Sequence, residues 1–225
     1  NVAKEQLLPG TYNWVWDATA DLGEGTVLEK VVVEGNVLLD EGDHKQYMVV
    51  DLSAGPNAST YPICYLDAEP SDGWTDEFKT TKLVLRHVNA GTFMMGSPDD
   101  EMGRDMDHGN TDDEKLHMVT LNDEFYIGVF EITQAQYENV IGTNPSKYVG
   151  ALRPVEEVSW NDIRGEGSSG TEIGSMSFCG KLRARTKMMF DLPTDAQWEY
   201  ACRAGSTTAL NNGMNISVGY CVWEA

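Results

Sequence analysis

The stretch Asp191-Leu-Pro-Thr-Asp-Ala-Gln-Trp-Glu-Tyr-Ala-Cys-Arg-Ala-Gly205 contains its own instructions for starting and stopping a helix. Thr194 is placed as an N-cap, and Gln197 stands three residues later, where it closes a capping box. Asp195 puts a negative charge in the first turn, where unpaired N–H groups favour it. Trp198, Ala201 and Cys202 recur at spacings of three and four and share a face, so Trp198 and Cys202 are expected to anchor the helix in a core. Gly205 supplies the stop. A short extended run, Met188 to Phe190, feeds the helix.

The same punctuation recurs upstream. Thr133 and Gln136 form a second capping box, for a helix over 133–141 whose apolar face is Tyr137, Val140 and Ile141 and whose end is Gly142. Ser159 with Asp162 is a shorter analogue of the box. Gly165 to Gly174 then reads as an inserted flexible loop, and a further helix is expected over 176–186. Its Lys181, Arg183, Arg185 and Lys187 form a local basic cluster. That cluster is either a groove for an anion or, more ordinarily, a surface paired with nearby carboxylates. Thr81–Val88, Gly91–Gly96, His117–Leu121 and Glu124–Phe130 alternate as strands.

Residues 1–80 read as a β-rich module, sandwich-like, with a boundary near residue 80. Tyr12–Trp16, Val27–Val33, Asn36–Leu39, Gln46–Leu52 and Tyr61–Leu66 are the strand candidates, and Asp67–Lys79 reads as a polar loop or linker. Trp14 and Trp16 lie on one side under alternation, which suits core packing or a carbohydrate platform. Asp17, Asp21 and Glu24 carry calcium-type oxygens without an EF-hand register, as does the acidic loop from Asp99 to Glu114. Neither His108 nor His117 has a second histidine at a metal-binding spacing.

Composition bounds the function. The 225 residues carry 16 basic and 36 acidic side chains, a formal net charge of −20, shared between both parts of the chain. That charge argues against nucleic-acid or anionic-membrane binding, which needs a positive surface. No run has the length of a membrane-spanning helix. Cys64, Cys179, Cys202 and Cys221 match neither a zinc ribbon nor a CxxC redox motif. They read as free or structural thiols, with a disulfide within 179–221 as the other reading. There is no GxSxG, P-loop, HExxH or dinucleotide fingerprint in the right context.

From Leu192 to Tyr200 the sequence resembles the LPTEAEWEYA signature of the formylglycine-generating enzyme (sulfatase-modifying factor) family. Gly91-Thr-Phe-Met-Met-Gly96, Glu114 with His117, Glu131-Ile-Thr-Gln-Ala-Gln-Tyr137, Asn144-Pro-Ser146, Pro154-Val-Glu156 and Val158-Ser-Trp-Asn-Asp162 are similar to further family landmarks, in order, over roughly residues 83–219. Two departures stand out: Leu116 near a customary proline, and Asp191 where members carry arginine, so that any ion pair made by the arginine is lost or reversed.

The resemblance implies an irregular α+β domain related to C-type lectins, spanning 81–225 as the N-terminal part of such a domain and incomplete at its C-terminus. In the name-giving enzymes a cysteine pair, with copper and oxygen, oxidises a sulfatase cysteine to formylglycine, and calcium supports the domain. No residue here matches that catalytic pair, and no family motif surrounds Cys221. The expectation is therefore an oxidase-family member whose catalytic segment, with its copper, lies beyond residue 225. The alternative is a noncatalytic extracellular module binding a protein or carbohydrate ligand. No catalytic or cofactor-binding residue is assigned. The β-rich module and the acidity point to an extracellular, periplasmic or cell-envelope location. An incomplete C-terminus would leave an open sheet edge and an uncovered apolar face.

Overall fold

The computed structural model describes residues 45–101, 114–167 and 169–210, all within one compact unit that starts at Lys45. The strands expected before residue 45, Trp14 and Trp16, the Asp17–Glu24 carboxylates, most of the acidic loop with His108, and Cys221 lie outside the described residues.

The fold is α+β. Strands β1 (Tyr47–Asp51), β2 (Ile63–Leu66), β3 (Lys82–Val88) and β6 (Phe125–Gly128) form an antiparallel sheet in the order β2-β1-β3-β6. Strands β4 (Gly91–Met95) and β5 (His117–Leu121) pair separately as a two-stranded ribbon. Among the described residues four α-helices follow: α1 (Gln134–Ile141), α2 (Trp160–Arg164), α3 (Phe178–Thr186) and α4 (Asp195–Arg203).

The two central strands are buried on both faces, and alternation along β1 and β3 sorts their side chains. Met48, Val50, Leu83 and Leu85 point to one face and meet Tyr137 and Val140 of α1 and Phe178, Cys179 and Leu182 of α3. Tyr47, Val49 and Val84 point to the other and meet Phe78, with Trp74 and Phe130 alongside. Asp67–Lys79 is therefore more than a linker. Its two aromatics stack edge to face at 5.0 Å and cover the second face of the sheet, a role its polar composition concealed. The boundary expected near residue 80 falls inside this sheet, because β1 pairs with β3 across it, Val49 opposite Val84.

All three capping boxes form with both reciprocal bonds. At α4 the Gln197 amide donates to Thr194 Oγ1 at 3.2 Å, and the Thr194 amide donates to Gln197 Oε1 at 3.0 Å. At α2 the Ser159 hydroxyl and amide both donate to Asp162 and hold its carboxyl below the usual range. Gly142 ends α1 with φ 100°. The glycine-rich segment after α2 is closed at its base. The Gly174 amide donates to Arg164 C=O at 2.7 Å, and a Cβ on Gly174 would lie 2.9 Å from Gly165 Cα, so these glycines serve close backbone approach.

Candidate functional site: an apolar groove along the sheet edge

Three networks fix the frame of the site. The first joins motifs far apart in sequence. Gln134, almost fully buried, donates to the carbonyls of Tyr148 and Pro154 and accepts from Asn144 Nδ2 and the Gly150 amide, both at 2.9 Å. Ser146 and Glu156 exchange bonds beside it, and the Glu156 carboxylate accepts from the Tyr148 amide at 2.7 Å. Every polar atom of a buried amide is thus satisfied, which makes the loop from 144 to 156 a fixed strap on α1. Gln136 does the same toward the sheet, donating to the carbonyls of Phe78 and Lys82.

The second network docks the β4–β5 ribbon on α4. Glu199 accepts from the Gly96 amide and from Arg203 Nε, both at 2.8 Å, and Arg203 Nη2 donates to Gly96 C=O at 2.7 Å. Tyr200 packs on Phe93 at 5.1 Å, and its hydroxyl would lie 2.3 Å from a Cβ at Gly91. The face of α4 that packs is therefore Glu199, Tyr200 and Arg203. Trp198 and Cys202, expected in the core, are exposed, Trp198 by 59%. The three-and-four spacing found a stripe, but docking through a charged pair outweighed it.

The third network resolves the basic cluster. Arg185 donates to the Tyr61 hydroxyl and to the carbonyls of Val140 and Pro56, and Lys181 donates to Ile141 C=O, so both cations cap the C-terminal end of α1. Arg183 donates to the carbonyls of Phe190 and Thr171 and to Asp191. Buried Arg164 donates Nε to Asp191 Oδ1 at 2.7 Å and Nη2 to Oδ2 at 3.0 Å, a bidentate pair. Asp191 is thus clamped by two arginines. The cluster is spent internally, on carbonyls more than on the carboxylates expected.

Between the sheet edge and the segment that Asp191 anchors lies a groove of about 730 Å³. Leu83, Leu85 and Phe178 form its floor, consecutive residues Phe125 to Ile132 one wall, and Met188 to Pro193 with Trp198 the other. Its rim exposes Met189 by 73%. Its thiol is Cys179, whose pKa burial pushes up to about 11, with the Asp191 charge adding and the arginines opposing. That thiol is protonated at neutral pH, which disfavours it as a free nucleophile. Among the described residues no three His, Cys, Asp or Glu side chains gather to hold a metal. His117 is exposed and bonds Lys115 C=O. No helix among the described residues is long and apolar enough to cross a membrane.

The groove's position along β6 follows from pairing that no local pattern specifies. The chaperone protein LppX of Paenibacillus barcinonensis is 57% identical over 44 residues, which are 20% of this chain and 15% of that protein, so the match spans far less than two thirds of the relative. The structure of PvdO from Pseudomonas aeruginosa is similar with a TM-score of 0.41 and 27% identity, covering 54% of this chain and 48% of that one. Residues 76–217 match the model of the sulfatase-modifying factor enzyme 1-like domain, most of the chain, and the chain belongs to that family.

Proposed function

We propose that the described residues form a noncatalytic binding scaffold of an extracellular or cell-envelope protein, on a C-type-lectin-related frame whose groove seats an apolar stretch of polypeptide. The observation that carries this reading is the groove itself, open, predominantly apolar and rimmed by exposed Met189 and Trp198. Its scarcity of polar lining groups favours polypeptide over carbohydrate. The dye bis-ANS tests it on the full chain. Met189→Glu is expected to weaken dye binding severalfold while the far-ultraviolet dichroism stays unchanged. Equal binding by the variant would remove the groove as the site.

A second reading follows from family membership over residues 76–217. The full-length protein would oxidise a peptide cysteine with copper and oxygen, drawing its catalytic residues from outside those described. Its assay is aldehyde formation in a CxPxR peptide by the copper-loaded full-length protein. Absence of aldehyde from folded, loaded protein sinks that reading and leaves the binding reading untouched.

A further inference from the structure

A second surface stands apart from the groove: the strap that Gln134 fixes on α1. None of residues 147–153 lines the groove. The strap's backbone is held from within. The Tyr148 and Gly150 amides donate to the Glu156 and Gln134 side chains. The Arg153 amide donates to Gly150 C=O at 2.9 Å and closes a turn with Ala151 and Leu152 at its centre. The carbonyls of Tyr148, Ala151 and Arg153 accept from Gln134 Nε2, the Ala135 amide and the Gln134 amide. The strap therefore keeps its shape without a further strand, and side chains are what it presents outward. Tyr148 is 62% exposed, Val149 77% and Leu152 45%. Apolar side chains scattered singly on a surface are ordinary, whereas these three fall within five positions of one fixed loop. Ordering a loop on binding costs free energy, and here the buried Gln134 amide has ordered it beforehand.

Charge decides what this patch meets. In a chain of 36 acidic and 16 basic residues, the run from Asn144 to Val155 carries Lys147 and Arg153 and no acid. Glu156, the next residue, turns its carboxylate to the Tyr148 amide. Lys147 Nζ lies 5.6 Å from the centre of the Tyr148 ring. Arg153 folds back over Gly150, where an added Cβ would lie 2.9 Å from Arg153 Cδ. Neither cation pairs with a carboxylate among the described residues. Two straps facing each other across a symmetric dimer would bring these cations together, which disfavours a second copy. An anionic bilayer would attract the strap and repel the rest of a chain with net charge −20. We propose that the strap docks a partner protein through a segment of apolar side chains flanked by aspartate or glutamate. Tyr148 and Val149 are the anchors, and Lys147 and Arg153 are the charge partners. This surface goes beyond the groove reading and does not depend on it.

The test selects a displayed library of random peptides on the immobilised full chain, with the Tyr148→Ala, Val149→Asp double variant as the counter-target. Both side chains are exposed, so the variant should keep the wild-type thermal melt, and Lys147→Glu serves as a second, single change. Peptides that bind wild type and not the double variant are expected, with apolar residues lying between carboxylates. By fluorescence anisotropy on such a peptide, Lys147→Glu should weaken binding about tenfold, and added salt should weaken binding to wild type. Met189→Glu in the groove should leave it unchanged, which separates this surface from the groove. Strap-dependent peptides that lack carboxylates, or affinity indifferent to Lys147→Glu, would overturn the charge-matched partner. Failure to recover any strap-dependent peptide would overturn the surface itself. Self-association in sedimentation that Val149→Asp abolishes would assign the strap to a second copy. Binding to phosphatidylglycerol vesicles that the same change abolishes would assign it to a membrane. Either result overturns the proposal.

Discussion

At the scale of single residues, Asp191 and Cys179 decide the groove's chemistry. The Asp191 carboxylate is what leaves Arg164 tolerable in a nearly buried position. Removing one partner of such a pair strands the other charge, which costs more than the pair contributes. Asp191→Ala should destabilise the protein by about 2–3 kcal/mol, a partly exposed pair falling below the fully buried range. A urea midpoint unchanged from wild type would refute the clamp. Cys179 gives a pH dependence of definite sign. Its thiol ionises near 9.0 when unfolded and is pushed up to about 11 in the folded protein. The unfolded chain therefore releases this proton first. The stabilisation is complete below pH 9 and is lost as pH rises toward 11, up to about 2–3 kcal/mol. Urea melts of wild type and Cys179→Ala across that window should converge as pH rises. Parallel curves would show that burial does not hold the thiol neutral.

At the scale of elements, the sequence was most legible where a local rule acts alone. The capping boxes at Thr133, Ser159 and Thr194 are complete within four residues each, and each helix starts where its box says. What resisted reading were choices made by tertiary partners. Strands β4 and β6 were both visible as alternating runs, yet nothing local says that β4 pairs with β5 while β6 joins β3. The α4 stripe misled for the same reason, since Glu199 and Arg203 dock the helix through Gly96, a residue about a hundred positions away. The family landmarks become intelligible once these contacts are known: Gly91, Phe93 and Gly96 on one side and Glu199, Tyr200 and Arg203 on the other are two halves of one joint. Gly91→Ala would drive a methyl into the Tyr200 hydroxyl and should cost about 1–3 kcal/mol. Gly91→Ala combined with Tyr200→Phe, which removes the clashing oxygen, should recover part of that loss. No recovery in thermal melts would place the strain elsewhere.

At the scale of the whole molecule, the position of β1 sets where the chain can be divided. β1 lies between β2 and β3, so it is an interior strand. Met48, Val50 and Leu52 fill the core against α1 and α3, and the Tyr61 hydroxyl accepts from Arg185 at 2.7 Å while donating to Asn139 C=O. A cut near residue 80 would remove an interior strand, several fully buried side chains and the aromatic cover of Trp74 and Phe78. It would also leave the edge of β3 unpaired and the Arg185 guanidinium without Tyr61. Each loss falls in the class that costs several kcal/mol, and together they exceed the roughly 5–15 kcal/mol by which a domain is normally stable. A cut at residue 44 severs none of these contacts. We therefore place the working boundary before Lys45 and expect a fragment beginning there to unfold cooperatively in urea, with amide exchange protection along β1 and β3. A fragment beginning at Thr81 should lack both the cooperative transition and the protection. A folded, protected Thr81 fragment would show that β1 and β2 are an accessory to the domain, and the boundary would return to residue 80.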